Sequence, residues 1–261
     1  MHRTDETGKA GEQASGRSSE RKNLRYIPGI EIDCTFQGMD FHVLGYGIDY
    51  KSGDFADLEQ NIEKQSFQAS LKRPTQTQAL GFHVTENDMW ELSKDRYWKA
   101  IWTGEMFAEV LLSKPVYADH SLLKPYRPGG SRGDNPYVNF YWDYYAQRKL
   151  CYVPMEYPEM RKIIGMIHAN GGFAVLAHPW VNLKENICML DEILDLGLDG
   201  IEAFSSYHTR EQAEFLYSKA QERHLTATYG SDYHGKTKPA IGLGQHQLHI
   251  LQLSFPLSTN F

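Results

Sequence analysis

The sequence predicts an α/β protein carrying a mostly helical insertion. Three observations point there. From residue 157 onward, short apolar runs alternate with helical patterns, the signature of βα units. Between 73 and 150 that alternation gives way to helical spacing, a Gly/Pro-rich loop and a block of aromatics. The residues best suited to ligate a metal fall mostly where predicted strands end, and α/β folds gather their chemistry at the carboxyl ends of strands.

In chain order, residues 1–23 are polar with almost nothing to bury, and read as an N-terminal segment outside the core. Leu24 to Ile32 reads as a strand leading through a Gly turn to the carboxylate of Glu31. Phe41 to Tyr46 reads as a second short strand, and 54–72 as a helix. This gives a first α/β part over 24–72. The insertion, 73–150, opens a helix at Thr85 with acids in its first turn and continues helically over 103–113. Lys124 to Pro136 is too rich in Gly and Pro for regular structure. It leads into the aromatics Tyr137, Phe140, Tyr141, Trp142, Tyr144 and Tyr145. The second α/β part, 151–261, opens with a helix over 158–169 that stops at Gly171-Gly172. There follow a buried parallel strand 173–177, a helix 185–196, a strand 200–204, a helix 209–223 and a strand 225–229.

Composition limits the function. A formal net charge of −6 over 261 residues, with no basic stripe, argues against a binder of nucleic-acid backbones. A small anionic substrate stays open, because a metal supplies local positive charge. Three cysteines without CxxC spacing fit a reduced, cytoplasmic protein. No window reaches the roughly 18 consecutive apolar residues of a membrane span, so no membrane partner is expected. The oligomeric state is not legible.

Five residues carry the chemistry: Glu31, His42, His178, Asp232 and His234. His178 follows the strand 173–177, and Asp232 and His234 follow 225–229. Glu31 reads as following the first strand, and His42 as starting the second. Three imidazoles and two carboxylates suit Zn, Mn or Fe. Paired metals clamp the attacking and leaving oxygens of a phosphoryl transfer. Arg127, Arg132 and Asn135 of the Gly/Pro-rich loop are candidate phosphate contacts, through forked guanidinium groups in the two arginines. His208, just past the strand 200–204, is a candidate at the pocket rim. Glu202 reads as a supporting or structural acid.

In order along the chain stand Ile27-Pro28-Gly29-Ile30-Glu31-Ile32, His42-Val43-Leu44-Gly45-Tyr46, Val175-Leu176-Ala177-His178-Pro179, Gly200-Ile201-Glu202 and Gly230-Ser231-Asp232-Tyr233-His234. This series resembles the polymerase-and-histidinol-phosphatase (PHP) superfamily over roughly residues 24–245. Within it the chain is similar to phosphoesterases that include AMP phosphatases and 3′,5′-nucleoside bisphosphate phosphatases. The resemblance implies a distorted (β/α)7 TIM-like barrel holding two or three divalent metals (Mn, Zn, Fe or Mg). It implies the five residues above as ligands, with Glu31 bridging. The implied reaction is hydrolysis of a nucleotide or similar small phosphate monoester by metal-activated water, with no protein nucleophile. One departure matters. The superfamily begins with His-x-His, which this chain lacks, and Thr4-Asp5-Glu6 stands where Thr-Asp-His is expected. The expectation is therefore an N-terminally incomplete barrel that alone binds metal weakly. The alternative is an inactive remnant that binds a metal, a nucleotide or a partner protein.

Overall fold

The computed structural model describes residues 27–245. The polar segment 1–23, the start of the strand read from Leu24, and His246 and His249 lie outside the described residues. The described chain divides into two compact units. The first holds 27–59, 157–232 and 243–245, and the second holds 60–156 and 233–242. No described helix is long and apolar enough to cross a membrane.

The first unit is built on a five-stranded mixed sheet in the order β1-β2-β3-β4-β5. β1 (Gly29–Phe36) and β2 (Met39–Tyr46) form an antiparallel hairpin. Its two-residue turn, Gln37-Gly38, has positive φ at both positions (49° and 75°), the signature of a type I′ turn. That geometry matches the right-handed twist of paired strands, and glycine adopts it without steric cost. The hairpin alternates cleanly. Ile32 and Cys34 with Phe41 and Val43 are buried on one face. Glu31 and Asp33 with His42 stand on the other, because successive side chains point to opposite faces.

α5 (Met160–Ala169) covers the apolar face with Ile163, Ile164 and Ile167. A methyl group on Gly45 of β2 would sit 3.1 Å from Ile167. Each such buried aliphatic contributes roughly 1.5–3 kcal/mol. The helix ends where Gly171 turns left-handed, as its sequence predicts.

β3 (Phe173–Leu176) runs antiparallel to β2, and β4 (Gly200–Ser205) and β5 (Thr226–Gly230) run parallel to β3. All six residues of β4 are buried, as a strand covered on both faces requires. The connection from β3 to β4 is a broken one, α6 (Pro179–Leu183) and α7 (Leu190–Leu194), rather than one helix over 185–196. Lys184 at φ 47° ends the first piece. α8 (Arg210–Glu222) links β4 to β5 behind a Thr209/Gln212 capping box. The fold is thus α/β with a mixed sheet, and β1 and β5 stand at the ends of the described strand order.

In chain order the earlier helices are α1 (Gly53–Ala79), α2 (Glu86–Ser93), α3 (Gly104–Ser113) and α4 (Pro136–Tyr144). α1 runs past the expected end at 72 and through Pro74. The second unit has its own core of Phe82, Met89, Trp102, Phe107, Leu111, Leu123 and Phe140. Thr85 caps α2 reciprocally with Asp88, as its sequence predicts. The loop expected to be wholly irregular begins within a 3-10 turn, Ser121–Tyr126, and the aromatic block forms α4.

Candidate metal centre

The centre starts from the polar face of the β1–β2 hairpin. Glu31 and Asp33 are two residues apart on β1, and His42 stands directly opposite Asp33 on β2. The third contributor comes from the next strand. Ala177 N donates to the His42 carbonyl at 3.1 Å, extending the β2–β3 ladder by one residue. The chain then turns at His178, whose φ of 25° lies in the left-handed region, and Pro179 starts α6. His178 N donates to Glu202 Oε2 at 2.8 Å, which fixes this turn. Strained backbone of this kind persists only where its surroundings hold it, commonly at functional sites.

Three donor atoms converge as a result. His42 Nδ1 lies 2.8 Å from Glu31 Oε1 and 3.2 Å from His178 Nε2, and His178 Nε2 lies 3.2 Å from Glu31 Oε1. The two rings meet edge to face, 5.0 Å apart. Metal bonds of about 2.1 Å meeting at right angles place donor atoms about 3.0 Å apart. The triangle has that size, and two imidazoles with one carboxylate form a donor set for Zn, Mn or Fe. The residues present therefore fit a divalent cation.

Electrostatics agree with the geometry. Burial by itself would raise the Glu31 carboxyl. Hydrogen bonds and positive charge from His178 and His42 outweigh it and hold the group well below the usual carboxylate range. Glu202 behaves oppositely. Burial pushes its carboxyl up to about 7, helped by Glu31 and Asp232, and His178 opposes this only in part.

Glu31 lies inside β1, as its third residue, rather than after a strand. His42 is likewise mid-strand in β2. The reason is the start of β1 at Gly29 and its continuation to Phe36, so the Gly turn read before Glu31 is the strand's first residue. His178 follows β3 as expected. Asp232 follows β5 with φ 49°, and its Oδ2 accepts from Tyr207 Oη at 2.6 Å. The Tyr207 ring stands edge-on to His178 at 5.8 Å. Burial and the Asp232 carboxylate push the Tyr207 hydroxyl up, so it stays protonated and donating. His234 belongs to the second unit, where its carbonyl accepts from Thr237 N.

His208 is 1% exposed and so does not stand at an open rim. Its Nδ1 sits 2.8 Å from the Ala203 carbonyl, and burial lowers its pKa to about 4, keeping the ring neutral. In the second unit, Arg127 donates to the carbonyls of Leu112 and Tyr117. Arg132 forks onto both oxygens of Asp143, which also accepts from Tyr126. Asn135 Oδ1 accepts from Ala240 N. These contacts tie the Gly/Pro-rich loop down.

Sequence reasoning missed Asp33 and Tyr207. Asp33 was discoverable from strand alternation, since it shares a face with Glu31. Tyr207 lies in a loop with no pattern to mark it.

Together, the mixed sheet and the imidazole–carboxylate triangle define an α/β protein with a candidate metal-binding group. No family model matches the chain. Its relatives include a phosphoribosyl 1,2-cyclic phosphate 1,2-diphosphodiesterase of Eggerthella lenta, 26% identical over 229 residues, covering 87% of this chain and 79% of that one. The 5′-3′ exoribonuclease Rnm of Salmonella typhimurium is 26% identical over 226 residues, covering 85% and 69%. A 3′,5′-nucleoside bisphosphate phosphatase of Chromobacterium violaceum is 22% identical over 234 residues, covering 88% and 75%. Among solved structures, a Bifidobacterium adolescentis protein described as a metal-dependent phosphoesterase superposes with a TM-score of 0.69 at 25% identity, over 90% of this chain and 77% of that one. These likenesses support the resemblance to the polymerase-and-histidinol-phosphatase superfamily. These relatives are hydrolases, and hydrolase is the class the chain shares.

Proposed function

We propose that this chain hydrolyses a small phosphate ester of the nucleotide kind at a divalent-metal centre. The observation that carries the proposal is the convergence of Glu31, His42 and His178, distant along the chain, into a triangle of ligand size. Asp232 and His234 are proposed to complete the ligand set, for two or three cations of Mn, Zn, Fe or Mg. The proposed framework is the family's (β/α)7-type barrel, of which the described sheet supplies five strands. Arg127, Arg132 and Asn135 remain proposed phosphate contacts.

A bound cation supplies charge to a phosphoryl oxygen and makes water a nucleophile near neutral pH. The chain's residues do the rest. Glu31 stays ionised and offers the charged oxygen of the centre. His42 and His178 offer ring nitrogens from fixed backbone positions. Tyr207 holds one oxygen of Asp232 and so sets the direction of the other.

A second reading, RNA degraded from its 5′ end as substrate, is favoured by the exoribonuclease relatives. Phosphate release from AMP and from a 3′,5′-nucleoside bisphosphate, and mononucleotide release from an oligoribonucleotide, each with added Mn, separate the two. Turnover of the small esters alone is the expected result, and Glu31→Ala must abolish it. Turnover of the oligonucleotide alone selects the second reading. No turnover of any of the three, with no Mn binding, overturns both.

A further inference from the structure

We infer that Asp33 is a positioning residue for the metal centre, acting through His42; this rests on the reading of Glu31, His42 and His178 as cation ligands. His42 is held at both ring nitrogens. Nδ1 faces Glu31 Oε1 at 2.8 Å, and Nε2 lies 3.0 Å from Asp33 Oδ1. A neutral imidazole carries one proton, and the hydrogen bond at one nitrogen decides which of the two keeps a lone pair. Both neighbours are carboxylates that only accept, and a cation held at the Glu31–His178 corner would exclude the proton from Nδ1, so in the loaded centre the ring proton sits on Nε2, where Asp33 accepts it. The lone pair is then on Nδ1, the atom that lies at the corner shared with Glu31 and His178.

His178 shows that this is a specific device. Its Nδ1 is buried and has no hydrogen-bond partner among the described residues. That ring is placed instead by its backbone, through the bond from His178 N to Glu202. The two imidazoles of one centre are thus oriented by different means, one by a carboxylate on its ring and one by a carboxylate on its main chain. Partners that orient a ligating histidine are worth about 10–100-fold in metal affinity. Asp33 reaches His42 because it is its cross-strand partner, so the same hairpin register delivers the ligand and its orienting group together.

The test uses the full chain, diamagnetic Zn and two readouts, the Zn Kd by competition with a chromogenic chelator and the His42 tautomer by nitrogen-15 NMR. In the wild type, His42 carries its proton on Nε2 in the Zn-loaded protein. Asp33→Ala raises the Zn Kd by about 10–100-fold and removes the hydrogen-bonded Nε2 proton signal. Asp33→Asn, close in shape and still an acceptor through its amide oxygen, restores the tautomer and part of the affinity. A Kd for Asp33→Ala within twofold of wild type overturns the assignment. So does a wild-type tautomer with the proton on Nδ1, or an affinity loss with the tautomer unchanged. Should the wild type bind no Zn at all, the metal-centre reading itself has failed, which is a different result from any of these.

Discussion

Gly230→Ala tests the support beneath His178. A methyl group on Gly230 would lie 2.2 Å from Glu202 Oε1. Carbon and oxygen need about 3.3 Å, so the carboxylate must retreat by about 1 Å. A flexible exposed glutamate would do so freely, but Glu202 is 5% exposed and its other oxygen holds His178 N at 2.8 Å. A retreat of that size takes the bond beyond hydrogen-bonding range. An unpaired buried N–H costs about 1–3 kcal/mol, and the crowding adds a similar amount. The expected loss is about 3 kcal/mol. In a Glu202→Ala background the obstructing oxygen is gone, and the same methyl should cost under about 0.5 kcal/mol. Native-state hydrogen exchange of the β4 and β5 amides, without metal, reads this locally and assumes no single unfolding step for a two-unit chain. Equal costs of Gly230→Ala in the two backgrounds would falsify the claim that Glu202 carries the effect.

Three further outcomes rest on particular contacts. Glu202 has a folded pKa of about 7 against an ordinary 4.5, so the folded state binds the extra proton. Its contribution is full below the ordinary value and is lost as pH rises through about 7. Metal-free Glu202→Gln should therefore gain on wild type by up to about 3 kcal/mol between pH 5 and pH 8, and a flat difference in urea unfolding sinks this. Gly104→Ala in α3 puts a methyl 2.6 Å from the buried Tyr145 ring, which is pinned by Thr77 at its hydroxyl. A loss of about 1–3 kcal/mol in the second unit is expected, and an unchanged melting temperature speaks against it. Arg132→Ala breaks a half-exposed pair with Asp143 and should cost under about 1 kcal/mol of stability. A rise in KM of tenfold or more supports a phosphate contact, while unchanged KM and kcat remove Arg132 from the substrate site.

The α/β alternation after residue 157 was legible because β3 and β4 are buried on both faces and so appear as unbroken apolar runs. Helix caps were legible where chemistry is local, at Thr85 and Gly171. The ligand triangle was legible through the order of motifs, since composition alone gives no reason for Glu31 and His178 to meet. The helix expected at 185–196 was misread because Pro179 opens α6 directly after His178, and left-handed Lys184 breaks the chain out of helix just before the expected start. Strand alternation alone puts Asp33 on the face of Glu31, but its pairing with His42 was not legible. Its role depends on hairpin register, and Gln37-Gly38 lacks the Asn or Asp that usually marks a type I′ turn. Once a two-residue turn is placed there, every pairing is set, Phe36 with Met39 and Asp33 with His42.

That register is also what stabilises the centre. Gathering a carboxylate and two imidazoles opposes hydration, and their mutual hydrogen bonds offset only part of that cost. The opposite face of the same hairpin contributes the remainder. Ile32, Cys34, Phe41 and Val43 are each at most 1% exposed on the face covered by α5. A slip of one residue between β1 and β2 would carry Glu31 and Asp33 into that apolar layer and turn Ile32 toward the polar one. The apolar face therefore excludes a one-residue slip, the two-residue Gln37-Gly38 turn sets the register, and in that register Glu31, Asp33 and His42 share a face. The hairpin thus positions Glu31 and His42 through residues on its opposite face, while His178 is set separately by its turn and its bond to Glu202.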